Sequence, residues 1–594
     1  MTQPPRSPWV DRAIAAALAL GFVALLLGTA GDLGYARDEG FYFNAADRYA
    51  AWFQLLASDP RAAVAPRAVD AAWSVNHEHP AFIKSLFALS SHYLHKKLGL
   101  FAMPGTSYRF PAMVLSGLGV ALVYLWGAAA RGRVAGLVAA ALFAMMPRYF
   151  YQAHLACFDA PVVTVWMLCA YCYWRSLRDG GTLWPLLCGL TFGIALNTKH
   201  NSWFLPIVCG AHAAALELRA LITREDHEEP RRRALAALGA MALIGPPVLI
   251  ATWPWIWRDT FARLREYALF HLQHDYYNME FLGVTYWTPP MPRTYAPVMT
   301  AATVPTITLV LAALGLLSAA RTRLGFPLVS LAARLGLGDS IAWVRSRIAR
   351  PRRPPADPAA TELLWFLGIA AIYAAWLSPK TPIFGGTKHW MTAYPFLALF
   401  AGTAFAAIAR RAAIALRRAG RDTVRAHLGR GPLPVLLLAA AVIAAPVVET
   451  LHAHPFALSA YTPLVGGAPG AATLGLNRTF WGYTTGSVVD YLNAEVPQRG
   501  TVYIHDTLWP SWEMLIRDGR LRRDIRGVGT VAGADFALYH HEQHMLDQAY
   551  QAWVALGTTR PAHVGGLDGV PVVLVYRATR LPPAARPTPD GQPP

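Results

Sequence analysis

Apolar segments recur along almost the whole chain, and short arginine-bearing loops separate them. The segments fall at roughly 13–30, 110–130, 134–150, 160–174, 184–197, 201–218, 234–253, 297–319, 361–378, 391–408 and 433–448, near the roughly 20 residues that a helix needs to cross a bilayer. Of the 594 residues, 55% are hydrophobic and only 15% are charged. This is too much apolar surface for a water-soluble globule. The pattern predicts a polytopic α-helical membrane protein with about eleven spans. The segments at 184–197 and 201–218 are short enough to form a re-entrant hairpin.

The net charge of +18 does not indicate nucleic acid, because the cations are not gathered on one patch. With the N-terminus inside, the loops 131–133, 175–182, 219–233, 320–360 and 409–432 carry 2, 2, 5, 8 and 7 Lys/Arg. Positive loops mark the cytoplasmic side. Residues 31–109, 151–159, 198–200, 254–296, 379–390 and everything after 449 then lie outside. The first segment has Arg6 and Arg12 ahead of it and Gly28-Thr29-Ala30 at its end. It resembles a signal peptide, but with so many later spans it reads as an uncleaved anchor. All five cysteines lie in or beside apolar segments, so no disulfide framework is implied.

The residues with chemical potential collect on the outer side. Asp38 and Glu39 directly follow the first span, where paired carboxylates are costly unless they meet a cation or do chemistry. They read either as a general base with an orienting neighbour or as caps of the next helix. Asn76-His77-Glu78-His79-Pro80 and Lys84 form a polar cluster in the same loop. His77 and His79, with Glu39 and Asp159, are candidates for a divalent metal, while Lys84 suits an anionic group or snorkels. His154 and Asp159 lie in the next outer turn, where Asp159 can cap a helix or act as a second acid. Lys199-His200 and Lys388-His389 interrupt apolar sequence at helix ends, and Lys199, Lys388 and His389 suit a leaving phosphate. The aromatic loop 253–297 holds Trp255, His271 and His274. It reads as an interface belt or a sugar-stacking surface.

Residues 42–56 and 82–95 read as amphipathic helices on the membrane surface. The tail from 449 holds strand-like runs at 501–505, 535–539 and 570–576 and helix-like stretches at 486–495 and 541–555. It predicts a small α/β domain at 449–580, after a membrane body at 1–448 whose catalytic first loop is 31–109. His540, His541 and His544 read as a solvated helix face. Residues 581–594 read as a disordered end.

In order along the chain come the acidic pair, His79-Pro80 with Lys84, Arg109-Phe110-Pro111, Arg131-Gly132-Arg133, the Asp159 turn, and Lys388-His389-Trp390-Met391 leading to Tyr394-Pro395. This series resembles the GT-C glycosyltransferases of the protein O-mannosyltransferase type (family 39). It is more loosely similar to the aminoarabinose transferases that modify lipid A. The resemblance spans roughly residues 10–410, and the tail from His454-Pro455 is similar to that of bacterial members. It implies an inverting transferase of the bacterial inner membrane that moves a hexosyl or pentosyl group. The donor would be a polyprenyl-phosphate-linked sugar, and the acceptor a protein, lipid or glycan at the periplasmic face. By resemblance Asp38 is the base, Glu39 its neighbour and Asp159 the second acid. The family's second proline after His79 is absent, its arginine before the second acid is out of register at Arg148, and its β-trefoil insert is missing. The rival classes are a lipid or solute transporter that uses the same acids, and a scaffold without activity. No internal repeat of the transporter kind is visible.

Overall fold

A computed structural model describes residues 8–223, 228–334, 357, 359–383, 385–419 and 432–579. The expected tail at 581–594 and most of the arginines of the loops 320–360 and 409–432 lie outside the described residues.

Each of the eleven apolar segments is mainly helical, but 134–150 and 297–319 are each broken into two helices, and they are not eleven equal spans. Among the described residues, six helices are long and apolar enough to cross a membrane: Pro8–Asp32, Pro104–Arg131, His200–Ile222, Glu228–Thr252, Met391–Leu416 and Leu433–Ala453. A seventh crossing follows if the pair Arg133–Ala144 and Pro147–His154 counts as one span, bent by 70°. The bend falls just before Pro147, where the residue preceding a proline is pushed out of the helical region. Leu183–Leu196, Thr306–Thr322 and Thr361–Ala375 are shorter. Asp159–Asp179 carries a buried acid at its start.

Pro104–Arg131 and Met391–Leu416 are mostly buried within the bundle, while Pro8–Asp32 and Leu433–Ala453 present most of their surface outward. Close approach explains the first of these contacts. A Cβ on Gly117 would stand 2.8 Å from the Ala19 carbonyl oxygen, so glycine lets the first helix lie against Pro104–Arg131. The expected re-entrant hairpin is not formed. Leu183–Leu196 packs along Glu228–Thr252 and Asp159–Asp179, whereas Phe204–Thr223 packs against Thr361–Ala375.

The polar end has its own core. The first loop forms Arg37–Ser58, two short helices, Phe82–Leu89 and a π-helical turn at Ser90–Lys97. Tyr42, Trp52 and Trp73 from this loop share one buried cluster with Trp481, Val502 and Trp512 of the C-terminal region. The expected surface helices are therefore covered on one face by protein.

The C-terminal region is a small α/β unit. Strands β3 (Thr501–Tyr503), β4 (Arg526–Val528) and β5 (Phe536–His540) are parallel, and the hairpin of β6 (His563–Leu567) and β7 (Val570–Arg577) joins β5 antiparallel. The sheet order is β4-β3-β5-β7-β6. The connection between the parallel β3 and β4 runs through helix Trp509–Arg517, as a parallel pair requires. That helix packs on Arg37–Ser58, which ties the sheet to the first loop. A small hairpin, β1 (Met279–Phe281) and β2 (Val284–Tyr286), lies apart from the sheet. The histidine reading fails here: His540 ends β5 and is fully buried, His544 lies in a single 3-10 turn, and the α-helix begins only at Leu546.

Candidate functional site

The acidic pair opens helix Arg37–Ser58, with Ala36 at the N-cap. Glu39 occupies the third position and its carboxylate accepts the Ala36 N–H at 2.9 Å, half of a capping box. The same carboxylate accepts Arg109 Nε at 2.7 Å and Nη2 at 2.8 Å, and the Ala156 N–H at 2.9 Å. Glu39 is completely buried and Arg109 is 1% exposed. Both oxygens are thus spent, and Glu39 is corrected from a catalytic or metal candidate to an anchor. It joins the first loop, helix Pro104–Arg131 and the 155–157 turn. Arg109 also donates to the carbonyls of Ala30 and Gly34. An arginine five residues into an otherwise apolar span is the signal that points to it.

Asp38 stands one residue before this anchor and faces another way. Its Oδ2 accepts Lys388 Nζ at 3.2 Å, and its side chain is 22% exposed. Lys388 reaches it from the turn Gly386–His389. A Cβ on Gly385 would stand 2.4 Å from Lys388 Cε, and Gly385 has φ +67°, so glycine serves both the turn and the path of the lysine. The ammonium lies 4.0 Å from the centroid of Trp481. Burial pushes the Lys388 pKa down, but Asp38 and Asp159 outweigh it and hold the value above the ordinary lysine range.

Asp159 is the first residue of Asp159–Asp179 and is 1% exposed. It accepts Lys199 Nζ at 2.5 Å. Burial pulls the Lys199 pKa down against the pull of Asp159. Two acids and two lysines from four separate parts of the chain thus meet as two ion pairs that sense one another electrostatically.

Neutral imidazoles flank this cluster. His79 lies 4.8 Å from the Phe158 ring and 5.7 Å from His271, and His271 lies 4.1 Å from His200. Burial lowers the pKa of His79 and of His271, the latter to about 4, so these two are uncharged at neutral pH. His200 belongs to this group, although the sequence marked it only as the neighbour of Lys199 in a basic pair.

The other candidates are directed elsewhere. Lys84 is wholly buried and spends its donors on the Asn76 carbonyl and side-chain oxygen and the His79 carbonyl. It braces the 76–79 turn and is not a phosphate ligand. Burial pushes its pKa down to about 7. His154 is fully buried between the Thr29 hydroxyl, at 2.8 Å, and the Phe150 carbonyl, at 2.8 Å. Trp255 is 4% exposed and enclosed by Trp253, His77 and Arg263, which leaves no face for a sugar. His274 packs on Phe270, away from the acids. The His389 ring lies against Trp376 at 4.7 Å rather than beside Lys388.

The metal candidates do not fit one ion. Glu39 is held by Arg109, Asp159 by Lys199, and His77 by Glu266 at 2.9 Å. Among the described residues no three His, Cys, Asp or Glu are grouped to hold a metal.

The C-terminal unit holds the acidic loop in place. Asp506 pairs with Arg37, the Arg37 N–H donates to the Trp481 carbonyl at 2.8 Å, and Ser511 Oγ donates to the Ala36 carbonyl at 3.1 Å. Gly34 and Gly486 meet backbone to backbone, and a Cβ on Gly34 would stand 2.0 Å from the Tyr483 carbonyl oxygen.

Residues 94–250 match the family described as dolichyl-phosphate-mannose-protein mannosyltransferase. The matched segment carries Arg109, Asp159 and Lys199, and over it the chain is similar to the protein mannosyltransferases. Among solved structures, ArnT from Cupriavidus metallidurans bound to undecaprenyl phosphate is 16% identical, with 98% of this chain and 100% of that chain covered and a TM-score of 0.44. The archaeal oligosaccharyltransferase AglB from Archaeoglobus fulgidus, in complex with an inhibitory peptide and a dolichol-phosphate, is 11% identical, with 91% and 71% covered and a TM-score of 0.41. No curated protein sequence matches the chain.

Proposed function

We propose that the chain is an inverting transferase that moves a sugar from a polyprenyl-phosphate donor to an acceptor hydroxyl on the periplasmic side of a bacterial inner membrane. The N-terminus lies in the cytoplasm and residues 449–579 outside it, in keeping with the arginine pattern of the sequence. The family's own description names a lipid-phosphate sugar donor.

One observation carries the assignment of the base. Of the three acids, Glu39 is 0% and Asp159 1% exposed, while the Asp38 side chain is 22% exposed and meets a single lysine at 3.2 Å. Asp38 is the acid that the packing leaves open. In the transfer, the acceptor oxygen bonds to the anomeric carbon as its proton passes to Asp38. The bond from that carbon to the phosphate oxygen breaks, and the lipid phosphate leaves with the electron pair. Charge develops on the phosphate, where cationic donors stabilise it. Lys388 pairs with Asp38, and a shift of its ammonium to the donor phosphate frees the base. Lys199 stays paired with Asp159 beside it.

The test is transfer of labelled sugar from a polyprenyl-phosphate donor by purified wild type and Asp38→Asn. Transfer by the wild type that collapses in the variant supports the assignment. Equal transfer by both removes Asp38 from the role.

A further inference from the structure

Lys199 and Lys388 are already answered by carboxylates. Arg148 is not. It lies at the start of helix Pro147–His154 and is 2% exposed, yet no carboxylate pairs with it among the described residues. Among the described residues its Nε finds no hydrogen-bond partner, and its Nη2 reaches the Ala460 carbonyl at 3.4 Å. The guanidinium stands 5.1 Å from the Tyr461 ring centroid. A cation–π contact and one long hydrogen bond offset part of the cost of burying a charge, but not all of it. A buried guanidinium N–H with nothing to bond suits an anion.

Space adjoins it. Pro147, next to Arg148 in the chain, and its two contacts Ala460 and Tyr461 line a cavity of about 310 Å³ together with Thr303, Glu449 and His452. That volume falls in the range of small-ligand sites. One wall is the end of Leu433–Ala453, a helix that leaves most of its surface to the bilayer. The cavity is also lined by Asp568, which pairs with His452 at 2.8 Å. Glu449 would repel a freely diffusing polyanion, so the occupant is an anion drawn in by a hydrocarbon chain. A chain of packed rings links Arg148 to the acidic site. Tyr295, within range of Arg148, packs on Trp390 at 5.8 Å, two residues beyond Lys388.

We propose that Arg148 holds the phosphate of a polyprenyl-phosphate lipid on its lateral path to or from the Asp38–Lys388 pair. This rests on the transferase reading and adds a binding residue to it. The test compares binding of a polyprenyl phosphate and of the matching uncharged polyprenol to detergent-purified wild type, Arg148→Gln and Arg148→Lys. Arg148→Gln should lose roughly tenfold or more of the affinity for the phosphate, the size of a lost charged hydrogen bond, and bind the alcohol unchanged. Arg148→Lys should fall between. Phosphate binding by Arg148→Gln equal to wild type overturns the proposal. Should Arg148→Gln fail to fold, thermal stabilisation by the ligand decides, since bound ligand raises the melting temperature. Polyprenyl phosphate should then stabilise Arg148→Lys less than wild type, and equal stabilisation overturns the proposal. Arg148-dependent binding in a wild type that transfers no sugar would support the site while removing the transferase reading.

Discussion

Arg109 grips both oxygens of Glu39 through Nε and Nη2, at 2.7 and 2.8 Å, with neither residue more than 1% exposed. The pair fixes the direction of the neighbouring Asp38, because the backbone that carries both acids is pinned to a span and to the 155–157 turn. The two adjacent carboxylates therefore have opposite duties, one structural and one open to chemistry.

Removing one partner of such a pair leaves an uncompensated buried charge, which typically costs about 3–5 kcal/mol. Glu39→Gln should lower the melting temperature and the yield of folded protein well below those of Asp38→Asn. Equal thermal stability of the two variants would show that Glu39 is not the anchor.

The lysines should act through the donor. Lys388→Ala and Lys199→Ala each remove a charge-assisted hydrogen bond of about 1.5–3 kcal/mol, or roughly ten- to hundredfold. The loss should appear in dependence on donor concentration more than on acceptor. Substitution by Arg should rescue only in part, since a planar fork and a point charge fit different oxygens. A purely structural role would instead depress both dependences alike.

How far the site was legible follows from the kind of signal each residue leaves. Asp38, Asp159, Lys199 and Lys388 stood out as charges at the ends of apolar segments, and the fold brings them together from positions as far apart as 38 and 388. Strands β3, β5 and β7 fall where β-branched and aromatic runs predicted them. Lys84, His154 and Trp255 carried the same kind of signal, yet their partners are main-chain carbonyls and neighbouring rings that no spacing reveals. Trp481 and Asp506 lay in a tail whose docking on the first loop depends on tertiary contacts alone. The eleven apolar segments were visible, but hydropathy did not distinguish full spans from the shorter helices packed among them.

Lys84 gives a pH signature. Its folded value of about 7 lies below the ordinary 10.5, so between those limits the unfolded chain binds more protons than the folded one. Stability therefore gains a contribution as pH rises through that window. Thermal unfolding of wild type and Lys84→Met at pH 7 and pH 9 should show a larger gain for the wild type. The same gain in both would remove Lys84 as its source.

Topology is open to a direct check. A reporter fused after residue 460 should be active if it works only in the periplasm. Activity of a cytoplasm-dependent reporter there would invert the proposed orientation.

The central claim is that Asp38 takes the acceptor proton in sugar transfer from a lipid phosphate. Loss of a general base usually costs ~10²–10⁴ in rate. The direct measurement is single-turnover transfer of labelled sugar from a polyprenyl-phosphate donor by folded wild type and folded Asp38→Asn. A drop of about that size with donor binding retained is the predicted result. Near-normal transfer by Asp38→Asn, or a wild type that moves lipid or solute across vesicles and transfers no sugar, would contradict it.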